Sequence, residues 1–423
     1  VASGFSRKIF RLKAEATSRT SAYVDMADSV SPVVLPQSQA QARTEHASRR
    51  VRVFIIAAIV VLAGVVFVLR VARTMPDFEV YWRAAVRAAA AEPLYREADG
   101  HYQFKYLPAF AVLVLPISLV PLDVAKPIWF LLSVAALAVL LRLSLPLLPE
   151  QRKPAWALVL LTVVVLGKFY GHELVLGQVN LLFAAVATAG LLALRVSRET
   201  LAGALVALAI VLKPYGVLLL PWLIARASLR SVVTAGGALA GALLVPAALY
   251  GFSGNLALHR EWLTTVLSTS NEANILNVDN VSWVAMYTRW FGPGSTAAGL
   301  AMLTAVAALG LLPWMWKVGR DVAHPAGLEA ALLLVLIPLI SPQGWDYVLL
   351  VATPAVVYLV NYEDRLPQGL RLPTLVALGI IAFTIFDLLG RVAYAAFMQM
   401  SGITLCFFVV IAALAALRQR RIA

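Results

Sequence analysis

The chain has 423 residues, 61% of them hydrophobic, with a formal charge of +13 and a mean hydropathy of +0.83. A water-soluble protein of this length needs far more polar surface to cover its core, so the composition excludes a soluble globular enzyme. Nor does the positive charge mark a nucleic-acid partner, because the basic residues stand in short clusters between apolar blocks and in the first fifty residues.

Residues 1–50 are rich in Ser, Ala and Arg with no apolar run, the composition of a disordered cytoplasmic tail rather than a signal peptide. Arg49, Arg50 and Arg52 precede a first span at 51–71, which places the N-terminus inside by the positive-inside rule and opens the membrane domain, 51–423. Residues 72–106 then fall outside and begin a first outer loop, 72–122, where acids alternate with Tyr81, Trp82, Tyr95, Tyr102 and Tyr106. The apolar stretch 107–121 is short and broken by Pro108, Pro116 and Pro121. Treating it as a half-inserted helix keeps Arg152/Lys153, Arg195/Arg198, Arg226/Arg230, Lys317/Arg320, Arg365/Arg371 and the closing Arg418, Arg420 and Arg421 all inside. A full crossing would put most of them outside.

Further spans are expected at 124–146, 156–170, 178–194, 201–212, 214–226, 231–250, 296–316, 327–340, 346–361, 372–390 and 400–417. With the first, they make an all-α polytopic membrane protein of about twelve transmembrane helices, with both termini cytoplasmic and a long outer loop at 251–295. The two spans meeting at Lys213-Pro214 are short: twelve residues rise only ~18 Å, so their tip lies in a cavity roofed by the outer loops. Cys406, the single cysteine, sits in the last apolar block and has no disulfide partner within the chain.

In this topology the polar tips gather on the outer side: Asp77, the 101–106 segment, 172–180, Lys213, 271–282 and 341–347. Charges at such depth mark a polar chamber. Asp77 has two readings, a base that takes a proton from a hydroxyl and an N-cap for the helix starting near Phe78. Lys213 either holds a phosphate as a point charge or snorkels to the interface. Lys105, between Phe104 and Tyr106, has the same two readings, and the structural one weighs more. Gln178 and Asn180 either bind sugar hydroxyls or cap a helix. His172 and Glu173 are placed to pair. Asp346 is the more informative member of the Trp345-Asp346 pair, because Trp is common at membrane interfaces. Asn280-Val-Ser282 matches a glycosylation acceptor in form only. Five histidines without ligand spacing argue against a protein-built zinc site, and the absence of a P-loop or dinucleotide fingerprint argues against a nucleotide-powered pump. No cofactor is expected.

Read in order, Asp77-Phe-Glu-Val-Tyr81, Pro93-Leu-Tyr95, Phe104-Lys-Tyr106-Leu-Pro108, Gly177-Gln-Val-Asn180, Leu212-Lys-Pro-Tyr215, Asn280-Val-Ser282 and Ser341-Pro342 with Trp345-Asp-Tyr347 resemble the DUF2029 (GT87) family across roughly residues 75–350. These are GT-C membrane glycosyltransferases that use polyprenyl-phosphate sugars. The family often has glycine where Ala91 stands, and many members carry histidine where this chain has Tyr347. The resemblance implies a GT-C fold with outer-loop helices lying along the membrane, and Asp77 as general base. It further implies Lys213 and Lys105 as candidates for the donor phosphate, and Tyr81, Gln178, Asn180, Tyr215, Asn280, Trp345 and Asp346 for donor and acceptor sugars, with no metal. The implied partners are a polyprenyl-phosphate sugar donor, a glycolipid or glycan acceptor, and membrane lipid. The implied setting is the inner (plasma) membrane, with the active site facing the periplasm. A transporter or flippase of a lipid-linked sugar would use the same groove without a base, and a structural subunit of an envelope complex would need neither Asp77 nor Lys213.

Overall fold

The computed structural model describes residues 74–269, 271–317 and 325–419, with scattered positions between 58 and 71. The tail and most of the first expected span lie outside the described residues. Everything below belongs to the compact unit formed by residues 66–423.

The regular structure among the described residues is helical, apart from one isolated bridge between Asn280 and Trp345. The 72–122 segment, expected as the first outer loop, folds into α1 (Pro76–Ala89), a 3₁₀ turn at Glu97–Tyr102, α2 (Pro108–Leu113) and another 3₁₀ turn at Leu115–Leu119. Proline opens both α-helices at N1, where its missing N–H has no helical partner to lose. At six residues α2 rises only ~9 Å, too little to cross a bilayer.

The bundle then runs through α3 (Leu122–Ser144), α4 (Ala155–Leu176), α5 (Asn180–Arg195), α6 (Glu199–Leu212), α7 (Leu219–Arg226) and α8 (Leu229–Leu244). Next come α9 (Ala247–Thr269), α10 (Glu272–Leu276), α11 (Trp283–Phe291), α12 (Ser295–Lys317), α13 (Pro325–Ile340), α14 (Thr353–Asn361), α15 (Gln368–Phe383), α16 (Phe386–Gln399) and α17 (Gly402–Gln419). Among the described residues four helices are long and apolar enough to cross a membrane, or six if each of two bent pairs is one span. Helices occupy every segment expected from residue 124 onward, but several, such as α6 and α13, are shorter than a full crossing. Apolar side chains face outward along these helices, Met302, Leu303 and Val306 on α12 among them, as lipid-facing surface requires. The molecule is an all-α membrane protein.

Two expected spans are not straight. The 231–250 segment breaks where Pro246 follows Val245, and α9 leaves α8 at 93°. Proline cannot donate the helical N–H, and Gly251, inside α9, adopts a left-handed φ of 69°. The 372–390 segment breaks at Thr384-Ile385, so α15 and α16 meet at 107°. The long loop expected at 251–295 is thus mostly helix, α9 through α11.

The bundle core is α13, whose side chains from Leu328 to Ile337 are almost wholly buried. Nearby, α6 and α8 approach so closely that a Cβ on Gly203 would lie 2.2 Å from the Ser231 carbonyl. The basic residues collect at one end: Lys153 pairs with Glu363 and Arg152 with Asp364. The fully buried Glu329 receives Arg226, Arg418 and the Trp316 indole. Lys153 lies just before α4 and His172 near its far end, a rise of roughly 28 Å, so the polar tips lie at the opposite end.

Candidate functional site

At that opposite end a cavity of about 430 Å³ opens between the first outer loop, the tips of α4 to α7 and the loop after α13. Its roof is α9, held to the first outer loop by Tyr250 Oη on the Glu92 carbonyl (2.8 Å) and Trp262 Nε1 on the Lys105 carbonyl (3.2 Å). Both segments expected to roof a chamber contribute lining residues to this cavity.

The α4–α5 turn fixes the site. Gly177 ends α4 in the left-handed conformation (φ 69°), and a Cβ there would fall 2.7 Å from the Phe78 Cβ. Only glycine lets the start of α1 press against this turn, where the Met75 N–H bonds the Val175 carbonyl at 3.0 Å and Trp129 Nε1 bonds the Gly177 carbonyl at 2.8 Å. That docking sets Asp77 beside Gln178.

Gln178 is the hub. Its Oε1 accepts from Tyr81 Oη (2.8 Å), Tyr106 Oη (3.0 Å) and Lys213 Nζ (3.1 Å), while its Nε2 donates to Tyr347 Oη (3.3 Å). Lys213 also donates to Tyr106 Oη at 2.7 Å and lies 4.6 Å from that ring's centroid. Tyr81 and Tyr106 share a 2.5 Å hydroxyl contact, and burial pushes both phenols well above their ordinary range, so both remain proton donors. The extended backbone of Lys213 and the 3₁₀ turn Pro214–Leu218 present its ammonium to this hub instead of continuing α6.

Asp77 lies in the first turn of α1, one residue past Pro76, and makes no capping bond. The N-cap reading is thereby corrected, because Met75 occupies the cap position. Burial raises the Asp77 carboxyl above its ordinary range, opposed in turn by the Gln178 amide, Lys213, Lys105 and His101. Lys105 is lowered by burial, with Asp77 opposing.

Of the residues singled out in the sequence, Asp77, Tyr81, Lys105, Gln178, Lys213, Tyr215 and Trp345 line the cavity. The other three stand behind its wall. Asn180 Nδ2 donates to Glu173 Oε2 at 2.8 Å, and Asn180 accepts from the Tyr215 hydroxyl. Asn280, fully buried, spends its amide on the Asn274 carbonyl (3.0 Å), the Pro342 carbonyl (2.8 Å) and the Ser282 N–H (3.0 Å). It ties the 277–282 loop to the 341–346 loop, and its burial excludes it as a glycan acceptor. Asp346 is buried as well, bonded to His172 Nδ1 (3.0 Å) with Lys168 Nζ 3.6 Å away.

Two further readings change. His172 does not pair with Glu173; it turns to Asp346, while Glu173 accepts from the Leu181 N–H at 3.1 Å and so caps α5. Neither Gln178 nor Asn180 caps that helix. Tyr106, Tyr347, Trp262 and Asp279 also line the cavity and were not picked out as ligands. For Tyr106 the flanking Phe104-Lys105 was a signal, whereas Asp279 carried none.

The molecule is thus a polytopic membrane protein with a half-buried carboxylate and two lysines facing one cavity at the end of its bundle. The sequence profile of glycosyltransferase family 87 matches residues 104–342, more than half of the chain, and the protein belongs to that family. Membership makes it a membrane glycosyltransferase. Asp77 and Tyr81 precede the matched stretch, and Trp345 and Asp346 follow it. No match was found among curated proteins or among solved structures.

Proposed function

We propose that the protein transfers a hexose, mannose first among the candidates, from a polyprenyl-phosphate sugar to a lipid-linked or glycan acceptor, with Asp77 as general base. The observation that carries this is the convergence of Asp77, Lys213 and Lys105 on one cavity. The acceptor hydroxyl gives its proton to the Asp77 carboxylate as its oxygen bonds to the anomeric carbon. The bond from that carbon to the phosphate oxygen breaks on the opposite face, inverting the centre. The polyprenyl phosphate leaves with the electron pair, and Lys213 stabilises its charge. Such preorganised electrostatic help commonly contributes most of a rate enhancement.

Tyr81 and Gln178 orient the reacting sugars around this axis; Asn180 and Tyr215 brace the Lys213 turn. Asn280 and Asp346 act from behind the wall. In this proposal the fold is of the GT-C type with about twelve spans, the basic end is cytoplasmic and the cavity opens to the periplasm of the inner (plasma) membrane. The donor then comes sideways from the bilayer beneath α9.

The test is sugar transfer by purified protein in lipid, with labelled polyprenyl-phosphate mannose and a mixed glycolipid extract, wild type beside Asp77→Asn. Product from wild type alone supports the mechanism. An Asp77→Asn variant as active as wild type removes the base. Movement of labelled lipid across vesicles without product replaces the enzyme with a lipid-sugar transporter.

A further inference from the structure

A second polar cluster faces the same cavity. His172 reaches it from the last turn of α4 and Asp279 from the loop before α11. Behind them Asp346, 1% exposed, binds His172 Nδ1 at 3.0 Å. Lys168, also behind the wall, stands 3.6 Å from Asp346 and donates to Tyr394 Oη at 3.3 Å, and that hydroxyl lies 3.5 Å from Asp279 Oδ1. The His172 ring is set edge-on to Tyr347, with 5.2 Å between centroids. The charged groups that act most on His172 are Asp346, Asp279 and Lys168, and those that act most on Asp77 are Lys213, Lys105 and His101. The two ends of the cavity are thus lined by different charged groups.

Resting on the proposed function, we propose that His172 and Asp279 form a carbohydrate-hydroxyl subsite, distinct from the cationic pole at Lys105 and Lys213. A bond from Nδ1–H to the Asp346 carboxylate orients the imidazole and leaves Nε2 to meet a ligand hydroxyl, with no protein partner among the described residues. Asp279 adds a carboxylate on the cavity side, whereas Lys168, the cation of this cluster, stands behind the wall beside Asp346. A carboxylate and an imidazole match sugar hydroxyls, which both donate and accept, and Trp345 and Trp262 supply apolar walls for the C–H face of a sugar ring. The ligand is a neutral, polyhydroxyl ring, and it belongs either to the donor or to the acceptor.

The experiment measures transfer kinetics with the full chain in lipid, using polyprenyl-phosphate mannose, its single-deoxy derivatives and a mixed glycolipid extract as acceptor. His172→Gln and Asp279→Asn should each raise one KM by about tenfold or more, with a smaller change in kcat, as loss of a hydrogen bond to a charged or strongly polar group does. A raised donor KM assigns the subsite to the donor sugar; a raised acceptor KM assigns it to the acceptor. In the donor case one deoxy derivative should be discriminated by wild type and no longer by the variant, a result that a merely structural role for His172 would not produce. In the acceptor case, methylated or deoxygenated acceptor fractions take that part. Asp346→Asn, as a positioning variant, should move the same KM and add little to His172→Gln. His172→Asn stands in if His172→Gln does not fold. Both KM values unchanged, or undiminished discrimination of every deoxy substrate, overturns the subsite while leaving the transfer mechanism standing. No product from wild type overturns the proposed function, and the subsite with it.

Discussion

In the proposed mechanism Asp77 is the residue on which the chemistry turns. Its carboxyl is raised above 3.8 chiefly by burial, against the pull of Gln178 and two lysines. A base works only when ionised, so transfer should be full above this raised pKa and fall as pH drops through it. A profile of log(kcat/KM) against pH should show an acid limb of unit slope, with its inflection above the ordinary aspartate range. An inflection at or below 3.8 would contradict the burial of this carboxylate. The residues around Asp77 were visible in the sequence because each is polar at the tip of an apolar block. What could not be read there was which of them face the cavity. Asn180, Asn280 and Asp346 carry the same chemistry as Gln178 and Asp77, yet their hydrogen bonds are consumed by neighbours 7, 62 and 174 residues away.

The elements are held in position by close approaches as much as by the polar bonds. Gly177→Ala places a methyl 2.7 Å from the Phe78 Cβ, at a φ that costs an L-residue about 1 kcal/mol. We expect this variant to lose roughly 2 kcal/mol of stability once overpacking is included, and to lose most of its transfer activity because α1 and Asp77 must move. Thermal unfolding alongside the transfer assay checks both; wild-type activity would mean that the dock between α1 and the α4–α5 turn does not position Asp77. Helix existence was legible from the apolar blocks, and the shortness of the pair around Lys213-Pro214 already placed that lysine inside a chamber. The bends were not legible. Hydropathy over 231–250 and 372–390 is continuous, so only the direction of α9 and α16 after their breaks shows that they turn across the bundle end.

At the scale of the molecule, the two ends do different work. The basic end is clasped by Glu329, fully buried and shared by Arg226, Arg418 and Trp316 across α7, α12, α13 and α17. Glu329→Gln keeps the shape but removes the charge that Arg226 and the buried Arg418 share, so it should destabilise the bundle by about 3 kcal/mol, read by thermal unfolding in lipid. Because the clasp is remote from the cavity, the KM values of the folded fraction should stay unchanged. Orientation can be tested separately. With the buried Cys406 replaced by Ser, a cysteine at Glu97 should react with a membrane-impermeant thiol reagent added outside intact cells. One at Arg152 should react only after lysis; the reverse pattern would invert the proposed topology.

By itself the sequence determined the solvent. Composition, the lengths of the apolar blocks and the placement of Lys and Arg follow from the cost of burying charge in hydrocarbon, and that cost is written locally in the chain. It also determined the family, through short motifs that keep their order. The tertiary structure alone decided which polar groups meet. Gln178 gathers residues from α1, the first outer loop and the tip after α6, and His172 finds Asp346 across 174 residues. Those meetings depend on helix directions and on glycine-permitted contacts between distant segments, which no local pattern encodes.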